Sequence, residues 1–347
     1  MKVGWYVHHH GSGHRTRAML VGRRLATHGV DVTLLGSELD LAATRAAGLE
    51  SVPLPHDAPL ADGASASDAD VTMRGLMHWA PLGHRGFSER MTTIARWIQV
   101  HEPDVVVVDV SCEVTVLVRL LGVPVIVVAQ PGLRRDAPHQ SALAAATAVL
   151  APWPEWAHTQ LWSTETFAAR VVAVGGLARS PRAAIASAGR HRTNARDGVR
   201  RATGLILSGS EGFDRGDLPM SIVRSAPHLD WQVAGGDVWV PDVRSLIARA
   251  DVVVTHGGQN AVADVAAAGV AALVVPQRRP YEEQEHMAAT LDAAGLATAV
   301  RPEDLDTIDW ACALDTALAR GGRGWVRWEC AGAVDRAAAL VEAVAGG

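Results

Sequence analysis

The sequence predicts an α/β protein with two domains in tandem, each built on a parallel sheet. Short apolar runs of strand length alternate with longer stretches of helical periodicity, which is the pattern of βαβ units. This alternation stops at an arginine-rich stretch, residues 178–203, and then begins again. The length of 347 residues is long for one domain and sufficient for two.

The first half of the chain contains most of the predicted elements. Strands are predicted over residues 2–8, 30–35, 51–54, 104–109 and 123–129. Helices are predicted over residues 15–27, 38–47, 87–101 and 112–121. Apolar β-branched residues dominate the strands, and apolar spacing of three and four residues marks the helices.

The second half repeats the pattern after the arginine-rich stretch. Strands are predicted over residues 205–207, 231–234, 252–255 and 272–275, and helices over residues 260–268, 283–294, 309–319 and 325–345. We therefore divide the chain into a first domain (1–177), a linker (178–203), a second domain (204–324) and a C-terminal helix (325–347). The acidic balance of the chain favours a solvated linker over a nucleic-acid patch in residues 178–203.

Composition and charge narrow the class of protein. The formal net charge is -5, whereas dedicated nucleic-acid binders are usually basic. No apolar run reaches the roughly 18 residues that span a bilayer, and the N-terminus lacks the apolar stretch of a signal peptide. Cys112, Cys312 and Cys330 are too widely spaced for a disulfide framework or a structural zinc site. We expect a soluble, cytoplasmic protein with no nucleic-acid partner.

The first candidate site is the loop at residues 10–14, between a predicted strand and a predicted helix. Small residues at Gly11, Ser12 and Gly13 let the backbone approach a ligand, and the helix start offers free N–H groups to an anion. His14 is placed for general-base chemistry at the mouth of a parallel sheet. Close packing of strand and helix would also explain the glycines, and a capping or packed role would also explain His14.

The second candidate is a turn of small residues, 208–212, which follows the strand that opens the second half. Such a turn at the carboxyl end of a strand can wrap phosphates, and Ser210 adds a hydroxyl donor close to Gly212. An ordinary tight turn is the alternative.

The third and most specific stretch spans residues 239–284. A predicted strand is followed by the turn His256, Gly257 and Gly258 and by a helix that starts near Asn260. Backbone N–H groups, the helix dipole and the imidazole would then converge on one place, which suits a diphosphate.

Two further residues of this stretch suit a nucleoside. Asp264 lies one turn into the helix, where its carboxylate can accept hydrogen bonds from ribose hydroxyls. Trp239, followed by Val240, offers an aromatic face to a base.

Residues 239–284 resemble the donor-binding signature of nucleotide-sugar-dependent glycosyltransferases with the GT-B fold. The resemblance extends to the plant-type enzymes and to the bacterial peptidoglycan N-acetylglucosaminyltransferases of family 28. It implies two Rossmann-like domains that face each other across a cleft, with the donor on the second domain and the acceptor on the first. The nucleotide-sugar-binding residues that it implies in the second domain are Ser210, Gly212, Trp239, Val240, His256, Gly257, Gly258, Asn260, Asp264, Glu283 and Gln284.

The resemblance also implies a role for each contact. Trp239 would stack on the base, and His256 would contact the diphosphate. Asp264, one methylene shorter than the glutamate of the family, would bind the ribose. Glu283 and Gln284 would hold hydroxyl groups of the donor sugar.

The loop at residues 10–14 resembles the glycine-rich loop of the same family. His14 then falls on the position of the catalytic base, and Asp109, at the end of a predicted strand, falls on that of its partner. The carboxylate would fix the tautomer of the imidazole and stabilise its positive charge. Capping of the following helix is the alternative role for Asp109. The helix at residues 325–347 would cross back onto the first domain.

Retaining GT-B enzymes carry a glutamate where this chain has His256, so the resemblance favours an inverting enzyme. Asp68 with Asp70, and Asp304 with Asp306, do not follow predicted strands, which argues against a metal-dependent site. We therefore expect no metal and no cofactor, with a leaving diphosphate neutralised by backbone dipoles and His256.

The donor and the acceptor follow from the same comparison. We expect a UDP- or dTDP-sugar and favour UDP, because Asp264 could engage both of its ribose hydroxyls. Two loops, 55–85 and 131–140, are the expected walls of an acceptor pocket. Their apolar residues and arginines are Arg74, Leu76, Met77, Trp79, Arg85, Leu133, Arg134 and Arg135. This mixture suits a hydrophobic acceptor, or a lipid-linked one with peripheral contact at the inner face of a membrane. Surface loops with a few buried anchors are the alternative.

Two other functions fit the same motifs. A nucleotide-sugar hydrolase of the same fold would share the pattern G-x-G-H-x-x-R, which residues 11–17 match. A non-catalytic partner of another transferase would bind the donor without turning it over, and the presence of both His14 and Asp109 counts against it.

Overall fold

The computed structural model describes residues 1–9, 11–58, 70–162, 170–179, 201–209, 212–238, 240 and 242–347. In these ranges the strands form two parallel sheets. The strands of the first sheet are β1 (Lys2–Val7), β2 (Asp31–Gly36), β3 (Glu50–Pro53), β4 (Val105–Asp109), β5 (Val125–Val128), β6 (Ala148–Ala151) and β7 (Val171–Ala173). Those of the second are β8 (Thr203–Leu207), β9 (Asp230–Ala234), β10 (Val252–Thr255), β11 (Ala271–Val274) and β12 (Thr298–Ala299). The α/β class predicted from the sequence is therefore confirmed.

The α-helices are numbered in chain order over the same ranges. They are α1 (Gly13–Thr27), α2 (Leu41–Ala46), α3 (Arg85–His101), α4 (Cys112–Leu120), α5 (Ala137–Ala145), α6 (His158–Leu161), α7 (Leu218–Ser225), α8 (Val243–Arg249), α9 (Gln259–Ala268), α10 (Glu283–Ala293), α11 (Trp310–Arg320) and α12 (Ala333–Gly346). None of them is long and apolar enough to cross a membrane.

The strand order places the candidate loops. It is β3-β2-β1-β4-β5-β6-β7 in the first sheet and β12-β11-β10-β8-β9 in the second. Every neighbouring pair is parallel. The order reverses between β1 and β4 and again between β8 and β10, and ligands of open α/β sheets bind beyond the carboxyl ends of strands at such points. The loops after β1, β8 and β10 are the three stretches that the sequence singles out.

The central strands form because both faces of the first sheet are covered. All five residues of β4 are buried, as expected for a parallel strand between two layers of helices. Trp5 of β1 packs on one face with Val21 and Leu25 of α1. Its neighbour Tyr6 points to the other face and packs with Ile94 of α3, because alternate side chains of a strand point to opposite faces.

Several elements differ from the sequence prediction. The strands β6 and β7 were not predicted, because β6 lies in a run dominated by alanine and β7 has three residues. Helix α5 begins inside the predicted loop 131–140, after Asp136 and with Pro138 in its first turn. Helices α7 and α8 were also not predicted. Most of the proposed linker, residues 180–200, lies outside the described residues, as do residues 59–69 of the loop 55–85.

The prediction of a single helix over residues 325–345 is wrong in detail. The structure has a 3-10 segment, Arg323–Trp328, followed by α12. Positive φ angles at Glu329 (55°) and Gly332 (71°) interrupt the helical path, and the left-handed region ends helices. Beyond the break, α12 packs into the core of the first sheet.

The two sheets share a continuous apolar contact. Trp153, Leu161 and Trp162, which follow β6, pack in one buried cluster with Leu205 of β8 and Met287 of α10. The carboxyl ends of the two sheets therefore meet around a cleft whose base is packed.

Candidate functional site

The loop after β1 and the end of β4 meet at a buried carboxylate. Asp109 is fully buried, and His14 Nδ1 lies 2.9 Å from its Oδ1. Arg17 donates from Nε to Asp109 Oδ2 at 2.9 Å and from Nη2 to Oδ1 at 3.2 Å. His14 and Arg17 are three residues apart on α1, so they share one face of the helix. The pair His14 and Asp109 expected from the sequence is thus brought together, with Arg17 added to it.

The charges around Asp109 keep its carboxylate ionised. Burial acts to raise the pKa of Asp109, but the positive Arg17 and the hydrogen bond and charge of His14 outweigh burial and hold the pKa below its usual range. An ionised carboxylate at Nδ1 keeps a proton on that nitrogen, so Nε2 carries the lone pair. The side chain of His14 is 18% exposed, and its Nε2 can therefore act as a general base.

Helix capping does not explain Asp109. The helix that follows it, α4, is capped by Ser111, whose Oγ accepts a hydrogen bond from Val114 N at 3.1 Å. Between them, Val110 has a φ of 64°, which is rare and costly for a β-branched residue. Strain of this kind persists where the surroundings hold it, and here it separates the buried carboxylate from the capping residue.

Three hydrogen bonds connect this part of the first domain to the start of α9 in the second domain. Arg17 Nη1 donates to Gln259 Oε1 at 2.7 Å, and Gln259 Nε2 donates to the carbonyl of Ala129 at 3.3 Å. Asn260 Nδ2 donates to the carbonyl of Gly13 at 2.8 Å. Asn260, one of the residues expected to bind the donor, therefore contacts the glycine-rich loop of the first domain.

The turns after β8, β9 and β10 form a second group around His256. Gly236 N donates to the carbonyl of Gly209 at 2.7 Å, which joins two of the turns. Gly209 has a φ of 68°, and a Cβ on it would lie 2.7 Å from His256 Nε2. A Cβ on Gly258 would lie 2.4 Å from His256 Cε1. Glycine is required at both positions because any side chain would displace the imidazole.

His256 is a neutral hydrogen-bond donor in this group. Its Nδ1 accepts a hydrogen bond from Gly258 N at 3.0 Å. Burial and the positive Arg279 lower the pKa of His256 to about 4, against the opposing charge of Asp214. A neutral imidazole that accepts at Nδ1 carries its proton on Nε2, and that N–H lies beside Gly209.

The helix that follows His256 offers further donors. Gly258 is the N-cap of α9, and no side-chain hydrogen bond caps the helix. The first backbone N–H groups are then available to an anion, with the positive end of the helix dipole behind them. We call the group formed by Gly209, Gly236, His256 and Gly258 the glycine cradle.

The other residues expected to bind the donor have protein partners. Asp264 is buried and accepts hydrogen bonds from Arg179 N at 2.8 Å and Arg179 Nε at 2.7 Å. Glu283 forms an ion pair with Arg134 of the first domain. Gln284 is buried, and its Oε1 accepts from Gln277 N at 2.9 Å.

The remaining expected residues fall into two groups. Gly11, Ser12 and Gly13 form the turn into α1, Gly212 lies against Gly236, Gly257 packs on Gln284, and Val240 is half-buried. Ser210 and Trp239 lie outside the described residues.

Comparison with known proteins agrees with this architecture. Residues 238–318 match the family model described as the glycosyltransferase family 28 C-terminal domain. Two solved structures superpose over nearly the whole chain. The spinosyn rhamnosyltransferase SpnG in complex with spinosyn aglycone has a TM-score of 0.68 and 18% identity, over 99% of this chain and 100% of its own. MurG of Acinetobacter baumannii has a TM-score of 0.62 and 15% identity, over 99% of each chain.

The chain has the GT-B fold. The resemblance inferred from residues 239–284 is confirmed, because the family model covers most of that stretch.

A curated relative is similar to this chain over a short region. It is the UDP-N-acetylglucosamine–N-acetylmuramyl-(pentapeptide) pyrophosphoryl-undecaprenol N-acetylglucosamine transferase of Burkholderia ambifaria, which is 40% identical over 88 residues. The aligned region is 22% of this chain and 23% of the relative, so less than a quarter of that enzyme is matched in sequence.

The first domain of this GT-B chain contains a cavity of about 330 Å³. It lies beside the pair His14 and Asp109, which we call the dyad. Val110, next to Asp109, lines the cavity, and so does His8, whose ring is 5.7 Å from that of His14. Much of its wall is apolar, and the larger apolar side chains are Tyr6, Trp79, Phe87, Met91, Leu143 and Trp162.

The expected acceptor loops contribute unequally to this cavity. Trp79 and Arg134 line it. Leu76, Leu133, Arg74 and Arg135 are exposed at the surface instead. The first loop is fixed at its Trp79 end, where Glu113 Oε1 accepts from His78 N and Trp79 N.

Three residues that make contacts in these two groups were not predicted to do so. Arg17 appeared only as part of a rival motif, although its spacing from His14 could have indicated a shared helix face. Gln259 and Gly236 had no signal in the sequence, because their contacts join segments that are distant along the chain.

Proposed function

We propose that this protein is an inverting glycosyltransferase that moves a sugar from a UDP- or dTDP-sugar to an acceptor hydroxyl. One observation carries the proposal. Arg17 bonds to Asp109 of the His14–Asp109 dyad, and Gly13 directly precedes His14. Both are hydrogen-bonded to the first residues of α9, which directly follow Gly258 of the glycine cradle. These contacts support the proposal that a base and an anion site lie next to each other across the cleft.

In the proposed reaction His14 Nε2 takes the proton of the acceptor hydroxyl. The oxygen attacks the anomeric carbon from the face opposite the diphosphate, so that a new C–O bond forms as the bond to the diphosphate breaks. Asp109 stabilises the imidazolium formed at His14 and holds its orientation. Arg17 keeps Asp109 ionised and in place. The sugar is transferred with inversion of configuration at its anomeric carbon.

The glycine cradle would receive the leaving nucleoside diphosphate. In the proposal the Nε2–H of His256, beside Gly209, and the N–H groups at the start of α9, which no side chain caps, are the donors to the diphosphate. Fixed dipoles of this kind stabilise developing negative charge without reorganisation. We propose that the transfer itself uses these groups and needs no metal or cofactor.

Both pyrimidine nucleotides remain donors in this proposal. The curated relative from Burkholderia uses a UDP-sugar by its name, and SpnG, which shares the fold, has been crystallised with thymidine diphosphate. The preference for UDP was based on a free Asp264 carboxylate. In the structure Arg179 binds that carboxylate, so ribose recognition would require sharing or replacing this contact.

The cavity supports transfer to an acceptor over transfer to water. A space of about 330 Å³ beside the dyad, with a largely apolar wall, suits an organic acceptor. We propose a hydrophobic acceptor, either a free aglycone or a lipid-linked molecule at the inner face of a membrane. The protein would then be cytoplasmic, with peripheral contact at most.

The test is an assay with UDP- and dTDP-sugars and a panel of apolar acceptors. Release of nucleoside diphosphate and the mass of the glycosylated product are measured together, and nuclear magnetic resonance of the product gives the configuration. We expect release that depends on acceptor, with an inverted product. Asp109→Asn should lose most of the turnover while donor binding is preserved. The exposed residue His228 provides the control, and His228→Ala should retain full activity.

Three results would contradict the proposal in different ways. Release at the same rate without acceptor would identify a hydrolase. Donor binding without any release would identify a non-catalytic partner. A product with retained configuration would rule out direct displacement of the diphosphate by the acceptor oxygen.

A further inference from the structure

A cluster of nitrogen and sulfur ligands lies in the wall of the cavity. His78, Cys112 and His139 each offer one ligand atom, and these three atoms lie within 4.8 Å of one another. All three residues line the cavity, and Cys112 is its only cysteine among the described residues. They come from three separate segments of the first domain, and neither the dyad nor the glycine cradle uses them.

Each of the three residues is held by its own local structure. Cys112 is the first residue of α4, whose N-terminus is fixed by Ser111. His139 lies in the first turns of α5. His78 is fixed by its backbone N–H, which donates to Glu113 Oε1 at 2.8 Å. The backbone positions of the three residues are therefore held by local structure, and their side chains need to make only a short approach to one another.

One carboxylate orients both imidazoles. Asp136 Oδ2 lies 2.5 Å from His78 Nε2, and Asp136 Oδ1 lies 2.5 Å from His139 Nδ1. Each ring thus uses one nitrogen for Asp136 and retains the other. A histidine that binds a metal usually donates its second ring N–H to a carboxylate, which fixes the tautomer and raises the basicity of the ligating nitrogen. The geometry around Asp136 is of this kind.

Two polar neighbours complete the surroundings. Tyr281 Oη lies 2.8 Å from His78 Nε2, and Arg134 Nη1 lies 3.2 Å from His139 Nε2. Arg134 also pairs with Glu283. A cation bound by His139 Nε2 would replace the contact from Arg134, which keeps its carboxylate partner.

We propose that His78, Cys112 and His139 bind a late first-row divalent cation, with Zn²⁺ as the best match. Imidazole and thiolate ligands select such ions over Mg²⁺ and Ca²⁺, which take oxygen ligands. Bond lengths of about 2.0–2.3 Å in a tetrahedral site require the three atoms to approach by roughly 1 Å. Binding releases the thiol proton of Cys112. Three protein ligands leave a fourth position, which water or an oxygen of a cavity ligand would take.

This proposal can be tested separately from the proposed transfer reaction, although the cation would share the cavity assigned to the acceptor. The cation would lie in the cavity of the first domain, whereas the diphosphate would lie in the glycine cradle of the second. Metal binding is therefore measurable in the absence of any donor, acceptor or turnover.

The experiment is a titration of the metal-free full-length chain with Co²⁺, a spectroscopic substitute for Zn²⁺. We expect one ion per chain, visible bands of a tetrahedral ion and a thiolate-to-cobalt charge-transfer band, all lost when Zn²⁺ is added. Cys112→Ser should abolish the charge-transfer band. His139→Asn should weaken the affinity by about 100-fold or more, and Asp136→Asn by about 10- to 100-fold. Circular dichroism checks that each variant is folded.

The control variants remove the same residue types elsewhere. Cys312 is exposed, and Cys312→Ser should leave the spectrum and the affinity unchanged. His228→Ala should do the same. His8 and His9 also line the cavity, but an imidazole cannot give rise to the thiolate-to-cobalt band. Absence of the charge-transfer band in the parent chain, or its survival in Cys112→Ser, would overturn the proposal.

Discussion

The two halves of the cleft are built in opposite ways. On the side of the first domain, the charged side chains of Arg17 and Asp109 are buried and bonded to each other, and His14 is hydrogen-bonded to Asp109. On the side of the second domain, the glycine cradle is mostly backbone, and His256 is its only ionisable side chain. In the proposed reaction the first side would hold the proton acceptor, and the second would offer N–H groups to an anion.

The difference predicts different responses to mutation. Removing a side chain from the first side should reduce the rate or the stability and leave the donor affinity intact. Adding a single carbon to the second side should reduce the donor affinity and leave the stability largely intact. The following predictions test this division, from the largest expected effect to the smallest.

We expect His14→Ala to reduce kcat by about 10²- to 10⁴-fold, because general-base removal typically costs this much. The dissociation constant of UDP or dTDP, measured by titration calorimetry, should stay nearly unchanged. A variant with unchanged kcat would remove His14 from the mechanism, and a large loss of nucleotide affinity would contradict the division between the two sides.

We expect Arg17→Ala to destabilise the protein by about 3–5 kcal/mol, because it leaves the buried carboxylate of Asp109 without its main partner. Urea unfolding measures this change. Arg23 lies exposed on the same helix, and Arg23→Ala should cost little. Equal effects of the two substitutions would show that the contact with Asp109 is not what stabilises the chain.

Gly258→Ala should weaken nucleoside diphosphate binding by roughly 10- to 100-fold, because the added Cβ moves the imidazole of His256 away from the place where it would contact the anion. Gly216 is the matched control, since a Cβ on it meets no atom within 4 Å. Titration calorimetry on both variants measures the effect. Normal affinity in Gly258→Ala would place the anion site elsewhere.

The smallest expected effect, over the range between about pH 7 and about pH 6, is a dependence of stability on pH that comes from His256. Its pKa of about 4 lies below the value of about 6.5 for an unfolded histidine. Between these two values the unfolded chain binds more protons, so the free energy of unfolding should fall as the pH falls. The neighbouring charges are Arg279, which reinforces the shift, and Asp214, which opposes it.

Urea unfolding at several pH values above and below pH 6 measures this dependence. His256→Gln should flatten it, and His228→Gln, at an exposed site, should not. Equal slopes in the parent chain and in His256→Gln would show that His256 titrates normally.

The two sides also differ in how far the sequence predicted them. The residues around His256 lie in one contiguous stretch, so that a local motif was sufficient to indicate the strand, the turn and the helix. The structure places His14 beside Asp109, as the resemblance implied. Arg17 was missed as their partner, because its contacts with Asp109 and Gln259 depend on the packing of segments far apart in sequence.

The fold shows the same division between local and distant information. The strongly apolar strands β4 and β10 were predicted closely, because four successive valines or a similar run leave little ambiguity. The alanine-rich β6 and the three-residue β7 were missed, because only their neighbours in the sheet make them strands. The pairing of Asp264 with Arg179 was equally invisible, since Arg179 belongs to a segment predicted as a solvated linker.

The helix α12 has a consequence for the order in which the protein folds during synthesis. Ala337, Ala338 and Val341 of this helix complete the core around Trp5 and Val21. At about 5–20 residues per second, a ribosome needs roughly 20 to 60 seconds to travel from β1 to α12. Throughout that interval the part of α1 that α12 covers is exposed on the nascent chain, whereas the part that packs on β1 and β2 can already be buried. The core of the first domain is therefore complete only after the last helix has been made.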